Sequence, residues 1–582
     1  MNKLLVLVVF NFLSTSSVAL AQTSLVVVFP PTNYQTSTEK IFFIGTAPVK
    51  GQVLINGKPV SRSKTGHFSP SFPLQVGENL FKVTYQNQER EVKVTRLSTP
   101  PELPPGLGFA KDSLTPAADI ARLPGELICF GAIAPPQATV SVKLANQTIP
   151  LSPQPPQAQL PANSAVLTGR NQPTTSSPSK YQGCTTVANA ADLGQPQFSL
   201  TLNGNTAIQL GEGKIQILTP AKLPVTEVTV ASGVARTGPS TDYSRLTPLP
   251  KGTRATVTGR EGDWLRLDYG GWINSKETKI LPGAVPPQTI IRSVGYRQLA
   301  GATEIIFPLQ AAVPVSVEQS DDRSFTLILY NTTAQTDTIR LDDDPLISRL
   351  DWQQMNPKQV KYTFNLKKLQ QWGYKLRYDN TTLVLTLRHA PNIQNKKPLS
   401  GIKILLDPGH GGKESGSSGL PGYLAKDVNL VLSKLLRDEL VKRGATVVMT
   451  REDDRDVSLV ERQEIISKEE PAISLSIHYN FLADDSKVEK TRGLVSFWYH
   501  PQAHSLAVFL HNYVVNKRLE PSYGVFWNNL ALTRPSAAPA VLLEFRLMSN
   551  ADEFEEVVNS QQQRKIAKTL ADGVTEWFKM TK

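Results

Sequence analysis

The run ILLDPGHGG, residues 404–412, places His410 at the end of an apolar stretch, behind a proline and among glycines 409, 411 and 412. Histidine is scarce, with 7 in 582 residues. Glycine lacks the Cβ that keeps a backbone away from a ligand. A second histidine, His478, closes the apolar run of AISLSIHYN, and Glu544 closes that of AVLLE. In open α/β sheets the reactive crevice lies beyond the carboxyl ends of the strands. One histidine so placed is more often structural. Two histidines and a carboxylate in equivalent places argue for chemistry. A histidine so placed can project into a cleft as a metal ligand or as a base. Imidazole suits zinc, and a catalytic zinc keeps one position open for water. Bound there, it polarises an amide carbonyl and acidifies the water. Glu544 is then the carboxylate that takes the water's proton and passes it to the leaving nitrogen.

The elements that must carry these residues are legible as a pattern. KILLDPG reads as a strand. DVNLVLSKLLRDELVKRG reads as a helix with Val428, Leu432, Leu435 and Leu436 on one face, Asp427 at its start and Gly444 closing it. ATVVMT, AISLSIHYN, GLVSFWYH and PAVLLEF read as strands. VSLVERQEIISKE, HSLAVFLHNYVVNKRL and the run from DEFEEVV to EWFKM read as helices. Strand and helix alternate, so residues 400–582 are expected to form an α/β domain with a mostly parallel sheet flanked by helices.

Upstream the text is β-like throughout, and 582 residues exceed what one core can hold. Short β-branched runs between Pro, Gly and Asn signals predict an Ig-like sandwich over 23–97. STPPELPPGLG (98–108) reads as a linker. A second β domain follows over 109–222, with a Pro-, Ser-, Gln- and Asn-rich insertion near 150–180 that the composition marks as disordered. A compact unit spans 226–281, and a further β-rich domain spans 284–392. The expected architecture is multidomain, with N-terminal all-β modules followed by the C-terminal α/β domain.

MNKLLVLVVFNFLSTSSVALAQ carries an early lysine, a short apolar core and a small-residue ending. It reads as a signal peptide over 1–21, cut after Ala21. A span needs about 20 apolar residues, more than this core offers, so no membrane span is expected after cleavage. Export permits a disulfide between Cys129 and Cys184, which would pin the ends of the insertion; two free thiols are the alternative. Two cysteines are too few for a Cys-based metal site. The net charge of +12 favours anionic surfaces such as wall polymers. No basic cluster interleaved with aromatics argues for nucleic acid.

Two resemblances add to this reading. The run from Gly233 to Ile273 has R-x-GPST, L-x-KGT, GDWLRL and GWI in order and resembles a bacterial SH3-like domain, which implies binding of wall peptides or a spacer role. Residues 284–392 look like the wall-targeting β domain found ahead of amidases. LLDPGHGG, KDVNL, VVMTRxxD with SLxxR, SIHYN, and PAVLLE with SN after it follow the order of the zinc-dependent N-acetylmuramoyl-L-alanine amidases, over about 402–578. The resemblance implies cleavage of the amide between muramic acid and L-alanine in peptidoglycan. It also implies zinc as cofactor, a periplasmic or cell wall location, and work in cell division with regulatory division proteins. By the same resemblance His410 and His478 are zinc ligands and Glu544 is catalytic. The sequence departs from the family where it reads GYLAKDVNL: Ala425 stands at the family's glutamate ligand. Glu414 is the candidate substitute ligand, and Asp427 is better explained by the helix dipole. Arg546 replaces a glycine, to crowd the cleft or to bind an anion. The alternative reading is a catalytically impaired peptidoglycan-binding protein; a metal-dependent peptidase of similar fold is a third.

Overall fold

The computed structural model describes residues 24–97, 106–156, 158–168, 172–175, 179–320, 323–416, 423–480, 492–517 and 519–582. The expected signal peptide, most of the expected 98–108 linker and parts of the expected 150–180 insertion lie outside the described residues.

The chain is β-rich up to residue 388 and α/β beyond it. Residues 25–96 pack Ile41, Phe43, Val53, Ile55, Phe68, Val83 and Val94 into one core. A six-stranded sheet follows, in which Leu127–Ile133 runs antiparallel to Lys180–Thr186 and Cys129 faces Cys184, bridged as a disulfide. The strand Ile120–Arg122 leaves that unit to pair with Arg254–Glu261 of the 226–281 segment, so one sheet joins the two. Two further sheets between residues 289 and 388 close over Ile291, Phe307, Leu327, Tyr362 and Leu385. The described part of the insertion is not bare coil. Asn163–Thr168 forms a 3-10 turn, and Leu167 packs on the C-terminal domain beside Val495, Phe497, Leu532 and Leu542. An apolar residue within a polar run is enough to dock such a segment.

Within the C-terminal domain the elements are β1 (Lys403–Pro408), α1 (Ala425–Lys442), β2 (Thr446–Met449), α2 (Leu459–Glu469), β3 (Ile473–Asn480), β4 (Leu494–Trp498), α3 (Pro501–Asn516), β5 (Ser522–Trp527), β6 (Ala540–Leu547), α4 (Ala551–Val557) and α5 (Ser560–Met580). The sheet order is β2-β1-β3-β6-β4-β5. All pairings are parallel except β4 against β6. The alternating residues Ile404, Leu406, Leu475, Ile477, Val541, Leu543 and Phe545 bury against Val428, Leu432, Leu436 and Leu440 of α1 and against α3 and α5. The final helical run is two helices, because Asn559 caps α5 by accepting from Gln561 N–H (2.9 Å) and Gln562 N–H (3.1 Å). Strand β5 is an element the sequence pattern did not single out.

Candidate active site

β3 and β6 are neighbours in parallel, and their register sets His478 opposite Glu544. Paired residues of adjacent strands point to the same face, about 4.8 Å apart. β1 lies on the other side of β3, with Pro408 opposite Ile477, so the loop that leaves it crosses the end of β3. There the ring of His410 meets that of His478 edge-to-face, with centroids 5.0 Å apart. His478 and Glu544 thus stand side by side at the carboxyl ends of β3 and β6, and His410, from the loop after β1, reaches the ring of His478.

The glycines have steric work in this loop. A Cβ on Gly409 would stand 2.3 Å from the His478 ring, and one on Gly416 would stand 2.4 Å from the His410 ring. His410 itself has φ +60°. That left-handed conformation costs an L-residue roughly 1–2 kcal/mol. Buried arginines hold it. Arg462 of α2 donates to the carbonyls of His410 (2.7 Å) and Pro408 (2.8 Å). Arg451 donates to those of Pro408 (3.1 Å) and Gly409 (3.0 Å). Each such charge-assisted bond contributes about 1.5–3 kcal/mol, enough to offset the backbone cost. Arg462 is paired with Asp407, which is 0 % exposed and also accepts from Ser476 Oγ at 3.0 Å. Asn429 of α1 donates to Gly409 O (3.2 Å) and accepts the Tyr479 N–H (3.0 Å), tying α1 to both strand ends. Asp407, Asn429, Arg451 and Arg462 were not singled out from sequence. The signal was a charged or amide group at the edge of an apolar run, inside the strings LLD, KDVNL, TR and SLxxR.

Electrostatics follows burial. His478 is held down at about 3 by burial first and then by the facing charge of His410. It is therefore neutral at physiological pH, as a metal-ligating imidazole must be. Its Nε2 is buried without a hydrogen-bond partner. Burial pushes the Glu544 carboxyl up to about 7, with no charged partner to oppose it. Glu414 is exposed, and its Oε1 lies 3.1 Å from Nδ1 of His410. A carboxylate on one ring nitrogen fixes the tautomer and presents the other as donor. Ala425 is 0 % exposed and lies one turn before Asn429 on the same helix face. Asp427 is exposed in the first turn of α1. Arg546 is drawn away into an ion-pair set with Glu520 and Glu556, each at 2.9 Å.

An unpartnered buried imidazole nitrogen, a second imidazole against it and glycines that clear both rings fit a divalent ion on two protein nitrogens. Among the described residues no three His, Cys, Asp or Glu side chains converge on one point, as Ala425 implies.

Residues 404–576 match the N-acetylmuramoyl-L-alanine amidase family, and residues 233–279 match the bacterial SH3 domain. The C-terminal domain is thus an amidase-family domain with a bacterial SH3 domain upstream. Similar to this chain is "Probable cell wall amidase LytH" of Staphylococcus aureus, 37 % identical over 192 residues, which are 32 % of this chain and 62 % of that protein. Among solved structures, the catalytic domain of the N-acetylmuramoyl-L-alanine amidase CwlV from Bacillus (Paenibacillus) polymyxa var. colistinus is 27 % identical, covering 31 % of this chain and 99 % of that one, at TM-score 0.29. The amidase AmiC2 of Nostoc punctiforme is 28 % identical, covering 31 % and 97 %, also at TM-score 0.29.

Proposed function

We propose that the C-terminal domain hydrolyses the amide between the lactyl group of muramic acid and the L-alanine of the stem peptide, outside the cytoplasmic membrane. The observation that supports this most is the pairing of His478 with Glu544 in register, against the ring of His410, within the stretch that matches the amidase family. His410 and His478 are the residues that would hold zinc. Zinc, when bound, supplies Lewis acidity to the amide carbonyl and a lowered pKa to water. Glu544, unpaired and poised near neutrality, takes a proton from the attacking water and delivers it to the alanine nitrogen as the C–N bond breaks. The products are a lactyl carboxylate and a new amino terminus. Arg451 and Arg462 keep His410 in place, and Glu414 orients its ring. The SH3 domain and residues 284–392 hold the chain on the wall. Among the described residues no helix is long and apolar enough to cross a membrane.

Purified sacculi given the full chain and zinc should release stem peptides that begin with L-alanine, read by mass spectrometry. Glu544→Gln should lower the rate at least 100-fold, as loss of a general base does. Released disaccharides, or peptides cut at another bond, would reject the assignment.

A further inference from the structure

The described residues between 152 and 182 trace an antiparallel arm that leaves the second β domain. At its base Ser152 lies opposite Gln182 and Pro153 opposite Tyr181, and the Gln154 N–H donates to Lys180 O at 2.7 Å. Further out Ala158 lies opposite Thr175 and Gln159 opposite Thr174. The 3-10 turn Asn163–Thr168 lies beyond that pairing, at the tip. The tip meets the sheet of the C-terminal domain on a particular face. β4 runs antiparallel to β6, with Val495 opposite Glu544 and Phe497 opposite Leu542. Opposed residues share a face, and His478 stands on that face on the other side of Glu544. Val541, Leu543 and Phe545 alternate with these and point into the helices. Leu167 packs on the Glu544 face, in one apolar cluster with Val495, Phe497, Leu532 and Leu542, and Tyr523 and Phe526 pack beside it. The hydroxyl of Tyr523 donates to the carbonyl of Leu167. Leu160 and Val166 of the arm are 79 % and 52 % exposed, so its apolar hold falls mainly to Leu167.

An alkyl side chain laid on an apolar patch and a carbonyl taken by a fixed donor are what any extended peptide can offer. Adjacent strands lie about 4.8 Å apart, so Tyr523 on β5, two strands from β6, stands roughly 10 Å from Glu544, the length of about three extended residues. We propose that the patch beside Glu544, with Tyr523 as its donor, is a subsite for the stem peptide of the substrate, and that the arm tip occupies it through Leu167 in competition with that peptide. The ligand class rests on the reaction proposed above. A peptide whose first residue lies at Glu544 reaches the patch with its third or fourth. One alkyl anchor and one hydrogen bond make a hold that a substrate can displace. A site open in one molecule in ten binds about 10-fold more weakly than a free one, so docking of the arm sets the apparent affinity.

The test uses the full chain and stem tetrapeptide released from sacculi by an unrelated amidase, with binding read by calorimetry. Leu167→Asp, which drives the tip off the patch, should bind the peptide at least 5-fold more tightly than the parent. Leu167→Ala should fall between the two, and it carries the test if the Asp variant melts early. Adding Tyr523→Phe to Leu167→Asp should take back most of the gain. Equal binding by the parent and both Leu167 variants, no binding by any form, or a gain untouched by Tyr523→Phe would overturn the proposal. Sacculus cleavage is read separately and should rise in the order parent, Leu167→Ala, Leu167→Asp. Tighter peptide binding in a chain that cuts nothing rejects the reaction and leaves the subsite. Cutting by all three at one rate, with peptide binding unmoved, rejects the subsite alone.

Discussion

Glu544 and His478 sit side by side, and burial moves them in opposite directions because it penalises the charged form of each. The acid goes up to about 7 and the imidazole down to about 3. Near neutrality the imidazole is an uncharged donor and the carboxyl is close to half-ionised, which is where a general base is most useful. The same shift makes a stability prediction for the metal-free chain. Between the ordinary Glu value of 4.5 and about 7 the folded state holds a proton that the unfolded chain releases. Glu544 therefore makes stability fall as pH rises through that window. Urea denaturation of Glu544→Gln should show the variant gaining on the parent between pH 5 and pH 7.5, by a few kcal/mol at most after solvent screening. A constant difference across that range would show that the carboxyl is not shifted upward as described.

At the scale of elements, the loop after β1 and the helix α2 behave as one unit. Arg462→Ala would leave Asp407, at 0 % exposure, without its cation and free the carbonyl of His410. Breaking a buried pair in this way costs about 3–5 kcal/mol. Thermal melting should show a clear fall for Ala and a smaller one for Lys; a melting point unmoved in Arg462→Ala would contradict the clamp. Much of this was legible in sequence and some was not. Apolar runs ending in His410, His478 and Glu544 announce strand ends, since a residue that terminates a buried strand meets the crevice. The register that sets His478 against Glu544, and the reversed direction of β4, depend on pairings made far along the chain. Arg451 and Arg462 escaped notice for a related reason. A charged side chain in an amphipathic run looks solvated until its partner, here Asp407 and a set of loop carbonyls, is brought to it by the fold. Asn559 as a cap was readable locally, yet the helical periodicity on either side concealed the break.

Over the whole molecule, the β modules and the C-terminal domain are tied by more than linkers. The Ile120–Arg122 strand extends the SH3-containing sheet, and the Cys129–Cys184 bridge closes the loop that sends Leu167 to the C-terminal domain. If these modules hold the wall as proposed above, such a platform would raise the local concentration of substrate at the site. The departure at Ala425 is also a matter for the whole assembly. With the ligands proposed above, a methyl group packed in the core at 0 % exposure would leave two imidazoles to hold an ion that usually has three protein ligands. Zinc titration of the full chain by calorimetry, beside His478→Ala and Ala425→Glu, tests the central claim most directly. The account predicts one zinc per chain, bound weakly by the parent, lost in His478→Ala and tightened at least 10-fold in Ala425→Glu. No zinc uptake by any of the three, or uptake indifferent to His478, would contradict it.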